Sequence, residues 1–333
     1  MCAARNLQYS LAINEALHQC MAEDPSVFIM GQGVKSPWYV GNTAKGLLER
    51  FGANRVIDTP VSENAMTGAA VGAAIAGMRP VVVHPRVDFM LYAMDPIVNE
   101  AANWHYMNGG RSCVPVVFWG IINRGGNQAA QHSQSLHALF SHVPGLKVVM
   151  PATPYDAKGL MVAAIRNPNP VVFLDDRWLY RSEGPVPRRR YEVPIGEAAI
   201  RTRGRDVTIV ASSYLAVEAV KAARELAAKG IGAEVLDLRT VKPLDAAAIL
   251  SSVKKTGCLV VADGGWKTCG VAAEVCALVA ERMPSRLKAP AVRVALPDCP
   301  APASGPLEEE YYLHSRHIVR AVEDVLRRRS GRR

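Results

Sequence analysis

No CxxC pair occurs in this sequence, although it holds seven cysteines. Cys2, Cys20, Cys113, Cys258, Cys269, Cys276 and Cys299 stand apart and are odd in number, so neither a disulfide framework nor a zinc site is indicated. Aromatic residues are scarce, at 6%. No apolar run reaches the length of a membrane span without a charge or a proline, which argues against a membrane protein. The stretch MCAARNLQYSLAINEAL lacks the basic-then-apolar order of an export signal, and the chain reads as cytoplasmic. Base-reading residues spaced along a groove with aromatics between them are also missing. The formal charge of +9 sits instead in two clusters, Arg188–Arg190 and Arg327, Arg328, Arg329, Arg332 and Arg333. These eight charges leave about +1 for the rest, so nucleic acid is not an expected partner, and a solvated linker and a disordered tail account for the excess.

What the chain does have is apolar material. Nearly half of its 333 residues are hydrophobic, enough for two domains of ordinary size. Short continuous apolar segments such as SVFIMG, RPVVVH, VPVVFWG, DVTIVASS and CLVVAD alternate with helical patterns such as NAMTGAAVGAAIAG. FMLYAMDPIVNEAANWHYMNGG reads as helical with a break at Pro96. Strands that are apolar on both faces belong to parallel sheets covered by helices on both sides. The fold class expected is therefore α/β, with two doubly wound, mainly parallel sheets. The Pro- and Arg-rich stretch after Gly184 is the best linker. It divides the chain into a first domain at 1–185, a linker at 186–194, a second domain at 195–326 and a basic tail at 327–333.

Glu63 is the lone carboxylate at the head of that Ala/Gly/Val helix. It suits either of two tasks: capping with Ser62, or a partly buried acid that exchanges a proton with a ligand. Phe89 stands at a strand-to-helix turn, and His132 stands in the polar loop NRGGNQAAQHSQS after a strand. Loops at strand C-termini are where sites form in parallel sheets. His137 and His142 read as structural.

The order of the motifs RVIDTPVSENAMTGAAVGAAIAGMRP, DFMLYAMDPIVNEAA, QHSQS, PGLKVVMPATPYDAKGLMVAAIRNPNPVVFLD, VLDLRTVKPLD and SVKKTGCLVVADGGW resembles the beta subunits of thiamine-diphosphate-dependent 2-oxo acid dehydrogenases of the pyruvate dehydrogenase type. The resemblance covers nearly the whole chain and implies a transketolase-like pyrimidine-binding domain followed by a transketolase C-terminal domain. It implies that Glu63 hydrogen-bonds a ring nitrogen of the cofactor's aminopyrimidine and drives it toward its imino tautomer, and that Phe89 packs on that ring. His132 is implied to assist proton transfer during decarboxylation or acyl transfer. Backbone carbonyls of Val116, Ala164, Asn167 and Asn169 fall where related chains hold a monovalent cation, often K+.

The Gly-Asp-Gly…Asn motif that binds the cofactor diphosphate through Mg2+ is absent, and ADGGW at 262–266 does not replace it. An alpha subunit, in a two-alpha, two-beta assembly, is implied to hold the diphosphate and Mg2+. The acyl acceptor implied is a lipoyl-domain acyltransferase. The chain departs from the resemblance at Gln32, where an acidic residue is common, and at Trp119, where Arg is common. Arg86 and Arg124 offer positive charge near the substrate instead. A transketolase-like two-carbon transferase that loads an acyl carrier protein or forms carbon–carbon bonds in a specialised biosynthetic pathway, with His84, Arg86 and Arg124 serving a phosphate, stays open beside the dehydrogenase.

Overall fold

The computed structural model describes residues 5–330, so Met1, Cys2 and the distal tail residues Arg332 and Arg333 lie outside the described residues. The chain forms two compact units, one of residues 1–124 and 131–195, the other of residues 125–130 and 196–333.

The first unit is built on parallel strands β2 (Val27–Gly31), β3 (Val56–Asp58), β4 (Arg79–His84), β5 (Val117–Ile122), β6 (Lys147–Val149) and β7 (Val171–Asp176), which follow a short strand β1 (Arg5–Gln8). Their spatial order is β6-β7-β5-β4-β2-β3. β2, β5 and β7 are buried along their whole length, as strands covered on both faces must be. β2 and β4 approach so closely at Gly31 that a Cβ there would lie 2.3 Å from the Val83 carbonyl oxygen, and φ is +151°. Only glycine fits.

Helix α1 (Tyr9–Glu23) packs against a later helix, Pro154–Arg166. The Ala/Gly helix, Glu63–Ile75, buries Met66, Thr67, Ala70, Val71 and Ala74 on one stripe. The opposite stripe, with Asn64, Ala65, Gly68, Ala69 and Gly72, is exposed. Pro96 does not break the segment after β4. A 3-10 turn (Val87–Ala93) gives way to a π-type turn (Asp95–Ala101) and then to an α-helix, Ala102–Met107. Pro96 sits in the first turn of the π segment, where its missing N–H leaves no bond unmade.

The expected linker is anchored rather than solvated. Strand β8 (Glu183–Val186) pairs antiparallel with β1. The Lys158 ammonium, fully buried, donates to Glu15 at 2.6 Å and to the carbonyls of Pro187, Arg188 and Arg189 at 2.8, 3.3 and 3.0 Å. Tyr191 stacks on Tyr155 with ring centroids 4.5 Å apart, and Arg190 pairs with Glu23 at 2.8 Å. One buried cation that satisfies three successive carbonyls holds a segment whose composition alone reads as loose.

In the second unit, Val207–Ala211, Ala233–Asp237, Leu259–Trp266 and Val292–Leu296 form a parallel sheet, with Ala199–Thr202 antiparallel at one edge. Arg327–Arg329, expected in a disordered tail, form the last turn of the helix Ser315–Ser330. Arginine is a good helix former, and cations favour a helix C-terminus. Arg328 also pairs with Asp324 at 2.6 Å. No helix among the described residues is long and apolar enough to cross a membrane.

Candidate active site

The C-terminal end of β4 organises the site in the first unit. His84, its last residue, is fully buried, and its Nε2 lies 3.2 Å from Thr67 Oγ1 on the Glu63–Ile75 helix. Burial pushes the His84 imidazole down to about 3, so it is neutral and cannot serve a phosphate as a cation. The Thr67 contact ties β4 to the helix one turn from Glu63, and that helix also packs on the 3-10 turn carrying Phe89. Helix start, strand end and turn therefore share one place.

Glu63 opens its helix half-buried, and its carboxyl makes no hydrogen bond or ion pair among the described residues. Ser62 occupies the N-cap without a side-chain bond, which leaves the capping role without support. The apolar burial expected around Glu63 is not provided by its own helix, whose neighbouring residues Asn64 and Ala65 are exposed. Phe89 is half-buried, and its ring meets the His132 imidazole edge to face, with centroids 5.2 Å apart at 86°. Asp88, only 4% exposed, fixes this pairing. Its Oδ1 accepts from the Gln134 backbone N–H at 3.1 Å and from the Gln134 amide at 2.8 Å. Burial pushes the Asp88 carboxyl up, against the Gln134 hydrogen bonds. His137 is buried beside Ser135 Oγ at 3.0 Å, a structural placement.

Trp119, where the chain departs from the family pattern, and Arg124, named for the substrate, both belong to the core. Trp119 is fully buried and donates from Nε1 to Asp175 Oδ1 at 2.9 Å. Arg124, its side chain 3% exposed, pairs with the fully buried Asp176 at 3.1 Å. Burial raises the Asp176 carboxyl, and Arg124 opposes that. An ion pair buried this far holds β5 to β7 and leaves Arg124 no face for a ligand. Arg86 stays half-buried at the turn beside Asp88, and burial first, then the nearby Arg177 charge, lowers its guanidinium.

Asp175, at the end of the buried strand β7, is strongly perturbed. Burial pushes it from 3.8 to about 7. Between those values the folded state keeps a proton that the unfolded chain has lost, so the Asp175 contribution to stability falls as pH rises through that window. Asp175→Asn keeps the acceptor for Trp119 and removes the charge. Thermal melts of the variant should show a raised Tm, with the gain growing from about pH 5 to about pH 8. A gain that shrinks with rising pH would contradict this.

Three of the four residues named for a cation already accept hydrogen bonds from the chain. The Val116 carbonyl accepts from Val171 N–H at 3.0 Å, and that of Ala164 from Asn167 N–H at 3.2 Å. Asn167 Oδ1 accepts from Lys147 Nζ and from the Asn169 N–H, both at 3.1 Å. Arg79 donates to the Ile165 and Asn167 carbonyls at 2.9 and 3.4 Å. A further cation here would stand beside the Lys147 ammonium and the Arg79 guanidinium, while Asn169 Oδ1 is buried with no hydrogen-bond partner among the described residues. Among the described residues no group of three or more His, Cys, Asp and Glu could hold a metal ion.

Sequence reasoning missed Asp88, Gln134, Asp175 and Asp176. Asp88 had one signal, a carboxylate directly before the aromatic expected to face a ligand; Asp175 and Asp176 had only their place at the end of an apolar strand.

Two family models match the chain: the transketolase pyrimidine-binding domain over residues 5–183 and the transketolase C-terminal domain over residues 196–318. The chain is 44% identical to the beta subunit of acetoin:2,6-dichlorophenolindophenol oxidoreductase from Cupriavidus necator, over 97% of this chain and 98% of the relative. It is also 44% identical to a mitochondrial pyruvate dehydrogenase E1 component subunit beta-1 from Arabidopsis thaliana, over 97% and 88%. A solved structure described as a split-gene transketolase, inactive beta4 tetramer, shares the fold with a TM-score of 0.76 at 23% identity, over 99% of this chain and 100% of that one.

Proposed function

Because the chain belongs to the family of transketolase-like dehydrogenase beta subunits, which includes those of pyruvate dehydrogenase E1 and acetoin oxidoreductase, we propose that it is the beta subunit of a thiamine-diphosphate-dependent 2-oxo acid dehydrogenase. The observation that supports this most is the edge-to-face contact of Phe89 and His132, on a turn packed against the helix that Glu63 opens. A carboxyl with no partner among the described residues, a half-open aromatic ring and an imidazole match what a flat, proton-exchanging heteroaromatic needs. When bound, the cofactor supplies a thiazolium carbon that acts as a nucleophile on a carbonyl. Glu63 holds the proton on the pyrimidine nitrogen, Phe89 packs on the ring, and His132 moves a proton to and from the reacting group. Arg86 remains the residue proposed for substrate charge.

An alpha subunit completes the enzyme in this reading, in a two-alpha, two-beta assembly, and holds the diphosphate and Mg2+. The proposed acyl acceptor is a lipoyl domain. Val61, Leu91 and Tyr92, at 69%, 42% and 73% exposure beside Glu63 and Phe89, suit cover by that partner. Calorimetry tests this directly. Thiamine diphosphate with Mg2+ should bind the isolated chain at least about tenfold more weakly than the assembled alpha–beta enzyme, a difference of about 1.4 kcal/mol or more. Equal, tight binding by the chain alone would overturn the shared site.

A further inference from the structure

The Asp88 carboxylate is more than a tether needs. It is buried, with Oδ1 taking both Gln134 donors at 3.1 and 2.8 Å. Oδ2 is buried with no hydrogen-bond partner. An asparagine amide oxygen would accept the same two bonds without placing a charge in a desolvated turn, so the carboxylate is retained at a cost to folding. His132 and Arg86 interact electrostatically with Asp88. Gln134, which Asp88 grips, lies two residues from His132, and Phe89, the next residue after Asp88, touches the His132 ring. The Asp88 carboxylate therefore fixes the loop that carries the imidazole and interacts with it electrostatically.

We infer that Asp88 is a positioning residue whose negative charge acts through His132, stabilising the imidazolium that forms when His132 takes a proton from the reacting group. The inference rests on the active-site role proposed for His132. The proton stays on His132 until it is returned, and Asp88 neither gains nor loses one in the step. The logic is that of a buried carboxylate behind a catalytic histidine, with the contact made through space and through the loop.

The test uses the assembled alpha–beta enzyme carrying Asp88→Asn, which is isosteric and keeps the acceptor for Gln134. Amide hydrogen exchange at Gln134 should stay slow and Tm should be equal or higher. Exchange of the cofactor's thiazolium proton, which depends on Glu63, should be unchanged. Turnover should fall by roughly tenfold, the low end of what loss of support for a positioned acid–base group costs, with KM nearly kept. In a His132→Ala background the same substitution should add no further loss. Gln134→Ala, which weakens the tether and keeps the charge, should cost less turnover than Asp88→Asn.

Wild-type turnover in Asp88→Asn, beside an impaired His132→Ala, sinks the role of the Asp88 charge and leaves His132 standing. Losses that multiply in the double variant show that Asp88 does not act through His132. Full turnover in His132→Ala removes the reading on which the inference rests, and the inference with it.

Discussion

Glu63→Gln leaves the assembled enzyme folded and removes most of its activity. The two consequences separate because the Glu63 carboxyl has no partner among the described residues. Ser62 makes no cap bond, and Glu63 pairs with nothing among the described residues. All that the fold loses is the attraction between a carboxylate and a helix N-terminus, about 0.3–1 kcal/mol. The proposed chemistry loses much more, since Gln keeps the size and a hydrogen bond but has no proton to give. Thiazolium-proton exchange with deuterated water should slow by on the order of a hundredfold or more, the range for removal of a positioned acid–base group.

The experiment belongs on the alpha–beta complex. In its own chain Glu63 is only half-buried, so the low-dielectric surroundings that an acid of this kind needs must come from the partner and the cofactor. Rapid-quench exchange followed by proton NMR reads the result. An unchanged rate would remove Glu63 from the chemistry and return it to a helix-end charge.

The strands were legible because burial on both faces leaves a signature that needs no partner information. VFIMG, RPVVVH and VFWG read as strands and lie in strands. Glu63, Phe89 and His132 were legible as candidates because each sits at an element boundary that a motif marks. The errors share one cause, a partner distant in the chain. Arg124 reads as a free cation until the β5–β7 register, with Ile122 opposite Asp176, brings a carboxylate to it. Trp119 reads only as a departure from the usual Arg until Asp175 on the same neighbouring strand takes its N–H. The segment at 186–194 reads as loose until Lys158, on a helix that precedes it, binds its carbonyls. Glu63 shows the opposite error. Its helix is small and apolar on both faces, so the pattern cannot say which face is buried, and the exposed stripe of Ala65, Gly68, Ala69 and Gly72 reads like core.

His132→Ala should leave cofactor affinity nearly as it is and take away turnover. The His132 side chain makes an edge contact with Phe89, and such aromatic pairs are worth about 0.5–1.5 kcal/mol. Its loss changes the packing of Phe89 slightly and removes no bond that holds the pyrimidine in the proposed site, so calorimetric affinity should shift by about tenfold at most. Thiazolium-proton exchange should also survive, because that step is assigned to Glu63. The steps that follow need a group to take and return a proton, and their loss should lower turnover by about a hundredfold to ten-thousandfold. Single-turnover kinetics separate the two. Formation of the activated cofactor should keep its wild-type rate, while acyl transfer to a lipoyl acceptor becomes the slow step. Should the variant instead lose cofactor affinity by several orders of magnitude with its later steps intact, His132 belongs to the binding wall beside Phe89, and the proton it was assigned must travel through another group.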